Sequence, residues 1–254
     1  MSFKASNADL RTLVAWDMLI WATVQQLLRQ RKGQAPAEMR GLQGAPAESA
    51  AKYCSKECQK ADWKKHKVAC VNNVTLVNAL KEHASTPEGS LDRLLIPGGL
   101  SLYELDQRLE KWVGFHKYTL MGACIHALRV PEDVKNIRNS VLYVKLEPRE
   151  DHGETPAKYF RVVDAYAVSL QDVMRWPSPW PESALQLRAM QNDAEKEKKQ
   201  GMVGASMIEC PPLAVQTVPF GSVKNVNRDV NENWKDILVS DVEFGKYTHF
   251  GGAR

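Results

Sequence analysis

Nothing in these 254 residues runs apolar for the ~18 consecutive positions that a membrane-crossing helix needs, so no membrane span is expected. Cysteine is scarce and odd in number: Cys54, Cys58, Cys70, Cys124 and Cys210. Three of the five crowd into residues 54–70. The start has no basic stretch leading into an apolar run and a small-residue cleavage site. A secreted disulfide framework is thereby excluded, and an intracellular protein, nuclear or cytoplasmic, is expected. The phosphate loops Gly-x-Gly-x-x-Gly and Gly-x4-Gly-Lys-Ser/Thr are missing, as are the Gly-x-Ser-x-Gly elbow and the His-Glu-x-x-His helix. There is no His-x-Asp pair for an iron facial triad. No enzyme class is indicated.

Surplus charge is also nearly absent, and what exists has one address. Lys and Arg number 34 against 30 Asp and Glu. Residues 52–70 hold Lys52, Lys56, Lys60, Lys64, Lys65 and Lys67 against only Glu57 and Asp62. That segment carries the whole excess, and the remainder balances at 28 of each sign. The apolar fraction, 44%, suffices for a packed core and excludes a wholly disordered chain.

The basic segment is also the cysteine-rich one. It reads Tyr53-Cys54-x3-Cys58-Gln59-x2-Asp62-Trp63-x2-His66-x3-Cys70. Cys54 and Cys58 are four apart, as are His66 and Cys70, so on a helix each pair shares a face and can clasp one ion. Zinc takes four thiolate or imidazole donors at about 2.0–2.3 Å in a tetrahedron, and the surrounding lysines favour the thiolate form. One unbroken helix over 58–70 would hold Cys58 and Cys70 ~18 Å apart. A single ion shared by all four therefore needs a break between Cys58 and Asp62.

This pattern resembles the second half of a MYND-type zinc finger. The resemblance implies that Cys54 and Cys58 complete one zinc site and His66 with Cys70 another. In that family the two earlier Cys-x2-Cys pairs precede the tyrosine, whereas this chain has no Cys or His before Cys54. One zinc on the four residues, no stable zinc, and two zincs with borrowed ligands all stay open, Asp62 and His83 being the nearest spare donors. The family's fingers hold proline-containing peptides of other proteins, which implies an adaptor role and makes Gln59 and Trp63 the partner-binding residues. Nucleic-acid binding through the lysines is a weaker alternative, since no recognition-helix pattern accompanies them. An enzyme of unrecognised class with its site in 75–250 is the other. The motifs of SET-type methyltransferases, which sometimes accompany these fingers, are not found in either flank. A finger followed by a long tail resembles MYND-type proteins of fungi, a likeness that brings no activity.

Three segments are expected. Residues 1–51 comprise a helix over 8–31, with Leu13, Trp16, Ile20, Val24 and Leu27 at helical spacing, and an Ala/Gly/Pro linker over 32–51. That helix is read as docking on the core, with membrane-surface or partner binding as alternatives. Residues 52–71 are the partial finger, and 72–254 an α+β domain. Within the last, a helix over 74–83 is followed by a loop over 85–90. Ser101 to Glu104 has the capping-box pattern and opens a helix through Trp112, with a second helix from about Tyr118 to Arg129. Residues 140–146 alternate as a half-buried strand, paired with 158–168 across a polar hairpin loop. A short helix over 169–175 and another from Pro181 to about Gln200 follow, then a tail of short apolar runs with one helical turn near Trp234. Helices first and strands later give the class α+β: a partial finger, a mixed helix/sheet C-terminal domain and an N-terminal helix.

The other chemistry-bearing residues read as structural. Cys124 and His126 are two apart and point to different sides of a helix. Cys124 beside Met121 and Ile125 belongs to a core, His116 to a polar contact between helices, and Cys210 to an extended stretch without a nearby His. Trp176 and Trp180, framed by prolines, are read as core packing, with a stiff apolar loop for a partner as the alternative.

Overall fold

The computed structural model describes residues 75–196, 201–213, 215–223, 226, 229–247 and 250. Two compact units divide the chain, one reaching Leu94 and including Ser101–Tyr103, the other formed by Leu95–Leu100 and everything from Glu104 onward. The expected helix over 8–31, the linker and the finger segment lie outside the described residues.

In the first unit, α1 (residues 75–83) buries Ala79, Leu80 and His83. A short turn leads into α2 (Pro87–Leu95), nine residues long. Residues 87–90 of the loop expected over 85–90 are therefore helix. Its turn-like composition is a helix start: the Thr86 hydroxyl accepts from the Gly89 amide at 3.0 Å, capping the helix, and Pro87 takes the first position, where no amide is needed.

Next comes α3 (Leu102–Ala127), which belongs to the second unit from Glu104 onward and is one helix of 26 residues where two were expected. Residues 113–118 contain no proline, and Gly114 faces open space, so nothing interrupts the backbone ladder. Leu105, Leu109, Trp112, Leu120 and Cys124 lie on its buried side. The helix ends before Arg129, whose φ of 51° is left-handed, and Pro131 follows.

A single turn, α4 (Asn136–Asn139), then leads into β1 (Ser140–Pro148). This strand pairs antiparallel with β2 (Phe160–Ser169), from Ser140 against Ser169 to Pro148 against Phe160, with a shift between Lys145 and Leu146. The hairpin read from the sequence is present. β1, however, is not half-buried, since Val141 to Val144 are all enclosed. The reason is its place inside a mixed four-stranded sheet of order β2-β1-β3-β4, with cover on both faces.

The remaining strands come from the tail. β3 (Met202–Glu209) runs parallel to β1, with Leu142 opposite Ser206, and β4 (Gln216–Val223) is antiparallel to β3. Pro219 sits in β4, which an edge strand tolerates because its outer side needs no amide. The expected helical turn near Trp234 is an 11-residue helix, α7 (Trp234–Phe244), closed by Gly245 at φ 62°. Between β2 and β3, α5 (Leu170–Val173) is capped by the Ser169 hydroxyl, and α6 (Trp180–Lys196) follows. Leu170, Val173, Trp180, Ala184 and Leu187 pack on Val141, Tyr143, Ala205 and Met207 of the sheet. On the other face, Trp112 of α3 meets Phe160 edge-on at 6.1 Å, and the Cys124 thiol donates to the Ala205 carbonyl at 3.5 Å. The class is α+β, with helices and a mixed sheet.

Candidate functional site

The residues singled out for metal, Cys54, Cys58, His66 and Cys70, and those for a partner, Gln59 and Trp63, all lie outside the described residues. The nearest described chemistry is in the first unit. There the Nε2–H of His83 donates to an Asp92 carboxylate oxygen at 2.6 Å, with both side chains buried. One ring nitrogen of the spare donor considered for zinc is thus committed to a carboxylate. Backbone geometry fixes this pair. His83 ends α1, and Gly89 brings α2 so close to the His83 carbonyl that a Cβ there would collide with it. Asp92, one turn further along, then comes within reach. Sequence reading weighed His83 and overlooked Asp92, because the nine-residue separation crosses a turn taken for a loop. Among the described residues, no group of three or more His, Cys, Asp or Glu side chains converges as a metal site.

The second unit places the other candidates apart. Cys124 is fully enclosed, and burial pushes its thiol up to about 12. Burial also pushes the Cys210 thiol up to about 12, with nearby Glu209 adding to the effect. Neither sulfur is a nucleophile at neutral pH. His126 turns away from Cys124, its Nδ1 accepting from the Asn231 amide at 3.1 Å while its ring stacks on Phe250. The Nε2–H of His116 donates to the Ala157 carbonyl at 2.8 Å, so the polar contact expected between helices is made to the short 3-10 turn Pro156–Lys158. Burial holds this imidazole below its ordinary value of 6.5, while the Ala157 carbonyl and Asp241 pull the other way. The Trp112 indole nitrogen and His116 Nδ1 have no hydrogen-bond partner among the described residues.

Trp176 and Trp180 stack edge to face at 4.8 Å, and Trp180 joins the core beneath Tyr143. The Tyr143 hydroxyl donates to Glu209, and burial followed by that carboxylate raises the phenol. This pair escaped sequence reading, since Glu209 reaches β1 only through the parallel β1–β3 pairing. Asp106, on α3, has its carboxyl pushed up to about 6 by burial and by neighbouring Glu110.

The family model of the MYND finger matches residues 49–70. These residues are similar to a MYND-type finger segment. The match spans the Cys54/Cys58 and His66/Cys70 pairs together with Gln59 and Trp63. No curated protein and no solved structure matches the chain. MYND fingers bind zinc and mediate protein–protein interaction, and the match suggests a zinc-binding interaction module here. Its donor chemistry fits the ion, because three thiolates and one imidazole make a full tetrahedral set. The complement is half that of a two-zinc MYND finger, since no Cys or His precedes Cys54. Among the described residues, no helix is long and apolar enough to cross a membrane.

Proposed function

We propose that the chain is an intracellular adaptor whose MYND-type segment, organised by zinc, docks a proline-containing peptide of another protein. The observation that supports it is the pair of four-residue donor spacings, Cys54 to Cys58 and His66 to Cys70, inside the stretch that matches the family. Cys54, Cys58, His66 and Cys70 would hold one zinc, whose contribution is to cross-link two short segments that have too little apolar surface to hold each other. Gln59 and Trp63, whose four-residue spacing would put them on one face of a helix, would present an amide and a large rigid ring to the peptide. The lysines remain a solvated face that helps keep the thiolates ionised.

The test is zinc content per purified chain, with a Cys58→Ser/His66→Ala variant beside it. About one zinc per chain, lost in the variant, is the expected result for a four-donor site. An absence of zinc, or its retention in the variant, removes the metal from the reading. Docking is tested on the zinc-loaded chain with a Pro-x-Leu-x-Pro peptide. Trp63→Ala is expected to weaken binding at least ~10-fold, as for a buried aromatic anchor. Unchanged affinity would sink the assignment of that residue.

A further inference from the structure

α2 is amphipathic in the wrong direction. Of its nine residues, the buried ones are Gly89 and Asp92, while Leu91, Leu94 and Leu95 are 58%, 81% and 64% exposed. A surface helix ordinarily turns its leucines inward and its carboxylate outward. Two constraints reverse it here. Gly89 must lie against the His83 carbonyl, and Asp92 must reach the His83 ring. Together they fix the rotation of α2 about its axis and leave Leu91 and Leu94, one turn apart, facing away from α1. A corner that uses a close glycine contact and a buried His83–Asp92 hydrogen bond to hold leucines outward has a use for them.

We propose that this leucine face is the docking site of residues 8–31 of the same chain. That segment has the complementary need. Leu13, Trp16, Ile20, Val24 and Leu27 make one apolar stripe, and Leu10, Val14, Met18, Trp21 and Leu28 lie beyond its edges. A helix apolar on that much of its circumference has to be covered on more than one side. The connection permits the encounter. Residues 32–51 are Ala-, Gly- and Pro-rich, a linker composition whose ~20 residues reach ~25 Å on average. Because segment and face belong to one chain, their encounter is intramolecular. The same docking would bring the chain ahead of the MYND-type segment back onto the helices behind it, closing a loop around the finger.

The experiment is amide hydrogen exchange on the full-length chain, comparing wild type with Leu91→Lys/Leu94→Lys and with Trp16→Lys/Ile20→Lys. Peptides from β1 and β2 serve as internal controls. Expected are slow exchange over 8–31 in the wild type and at least a ~10-fold acceleration there in the leucine variant, with β1 and β2 unchanged. The reciprocal variant is expected to accelerate exchange over 87–95. Equal exchange of 8–31 in wild type and leucine variant overturns the proposal. So does protection of 87–95 that rises with protein concentration, which gives the face to a second copy. Should the leucine variant also loosen β1 and β2, the Trp16→Lys/Ile20→Lys chain decides, because its changes lie outside α2. No acceleration over 87–95 in it overturns the docking.

Discussion

His116 has no exposed surface, yet it is an imidazole with an ordinary value near neutrality. Folding therefore makes it a weaker base. Between the lowered folded value and 6.5, the unfolded chain holds more protons than the folded one, so stability rises with pH across that window and is lost on acidification. Each unit of separation is worth ~1.4 kcal/mol. His116→Gln keeps an N–H that can reach the Ala157 carbonyl and removes the titration. The expected outcome is a smaller fall in urea midpoint between about pH 7.5 and pH 5.5 for the variant than for the wild type. Equal slopes in the two proteins would transfer the pH dependence to other groups. Cys124 teaches the same lesson about context, because its burial beside Ala205 makes it inert, whereas the finger cysteines sit among lysines.

At the scale of elements, the α1–α2 corner depends on one missing side chain. A Cβ on Gly89 would overlap the His83 carbonyl, which is backbone and cannot swing aside. Gly89→Ala should therefore displace α2, break the 2.6 Å bond between His83 and Asp92, and destabilise the first unit by about 1–3 kcal/mol. Thermal or urea unfolding checks this, and a neutral substitution would mean the corner is more pliant than its geometry implies. The sequence hid this corner because Ser-Thr-Pro-Glu-Gly is turn-like in composition, and only the capping bond from Gly89 to Thr86 distinguishes a helix start from a loop. The β1–β2 hairpin was legible, because its strands are adjacent and its loop is polar. β3 and β4 were not. Gly204, Ala205 and Ser206 lack the bulky alternation that marks a strand, and the partners of β3 in β1 lie 64 residues away, as for Leu142 and Ser206, while Pro219 and Gly221 interrupt β4. The long α3 was divided because the spacing of apolar residues loosens around Gly114, although nothing there breaks a helix. Of the site, the Cys54/Cys58 and His66/Cys70 spacings carry a strong local signal, while the His83–Asp92 and Tyr143–Glu209 pairs depend on contacts that only the fold creates.

At the scale of the whole molecule, the division into two units separates metal dependence from the sheet. Domains with their own cores open and close independently unless a large apolar interface joins them. The second unit has such a core, with Leu105, Leu109, Trp112, Leu120, Leu142, Leu146, Ile208 and Leu238 all at 2% exposure or less. None of its described cysteines or histidines joins a metal cluster. The four finger donors, in contrast, lie at positions 54–70, ahead of α1 in the chain. Chelation of the full-length protein with EDTA should therefore speed amide exchange across 52–83, by disorganising the finger and the helix that follows it. It should leave β1 and β3 exchanging as before. Acceleration over β1 and β3 would show the sheet to depend on zinc and the two cores to be energetically one. No change over 52–83, in a chain shown to contain the metal beforehand, would mean that α1 is held by its own buried Ala79, Leu80 and His83 rather than by the finger.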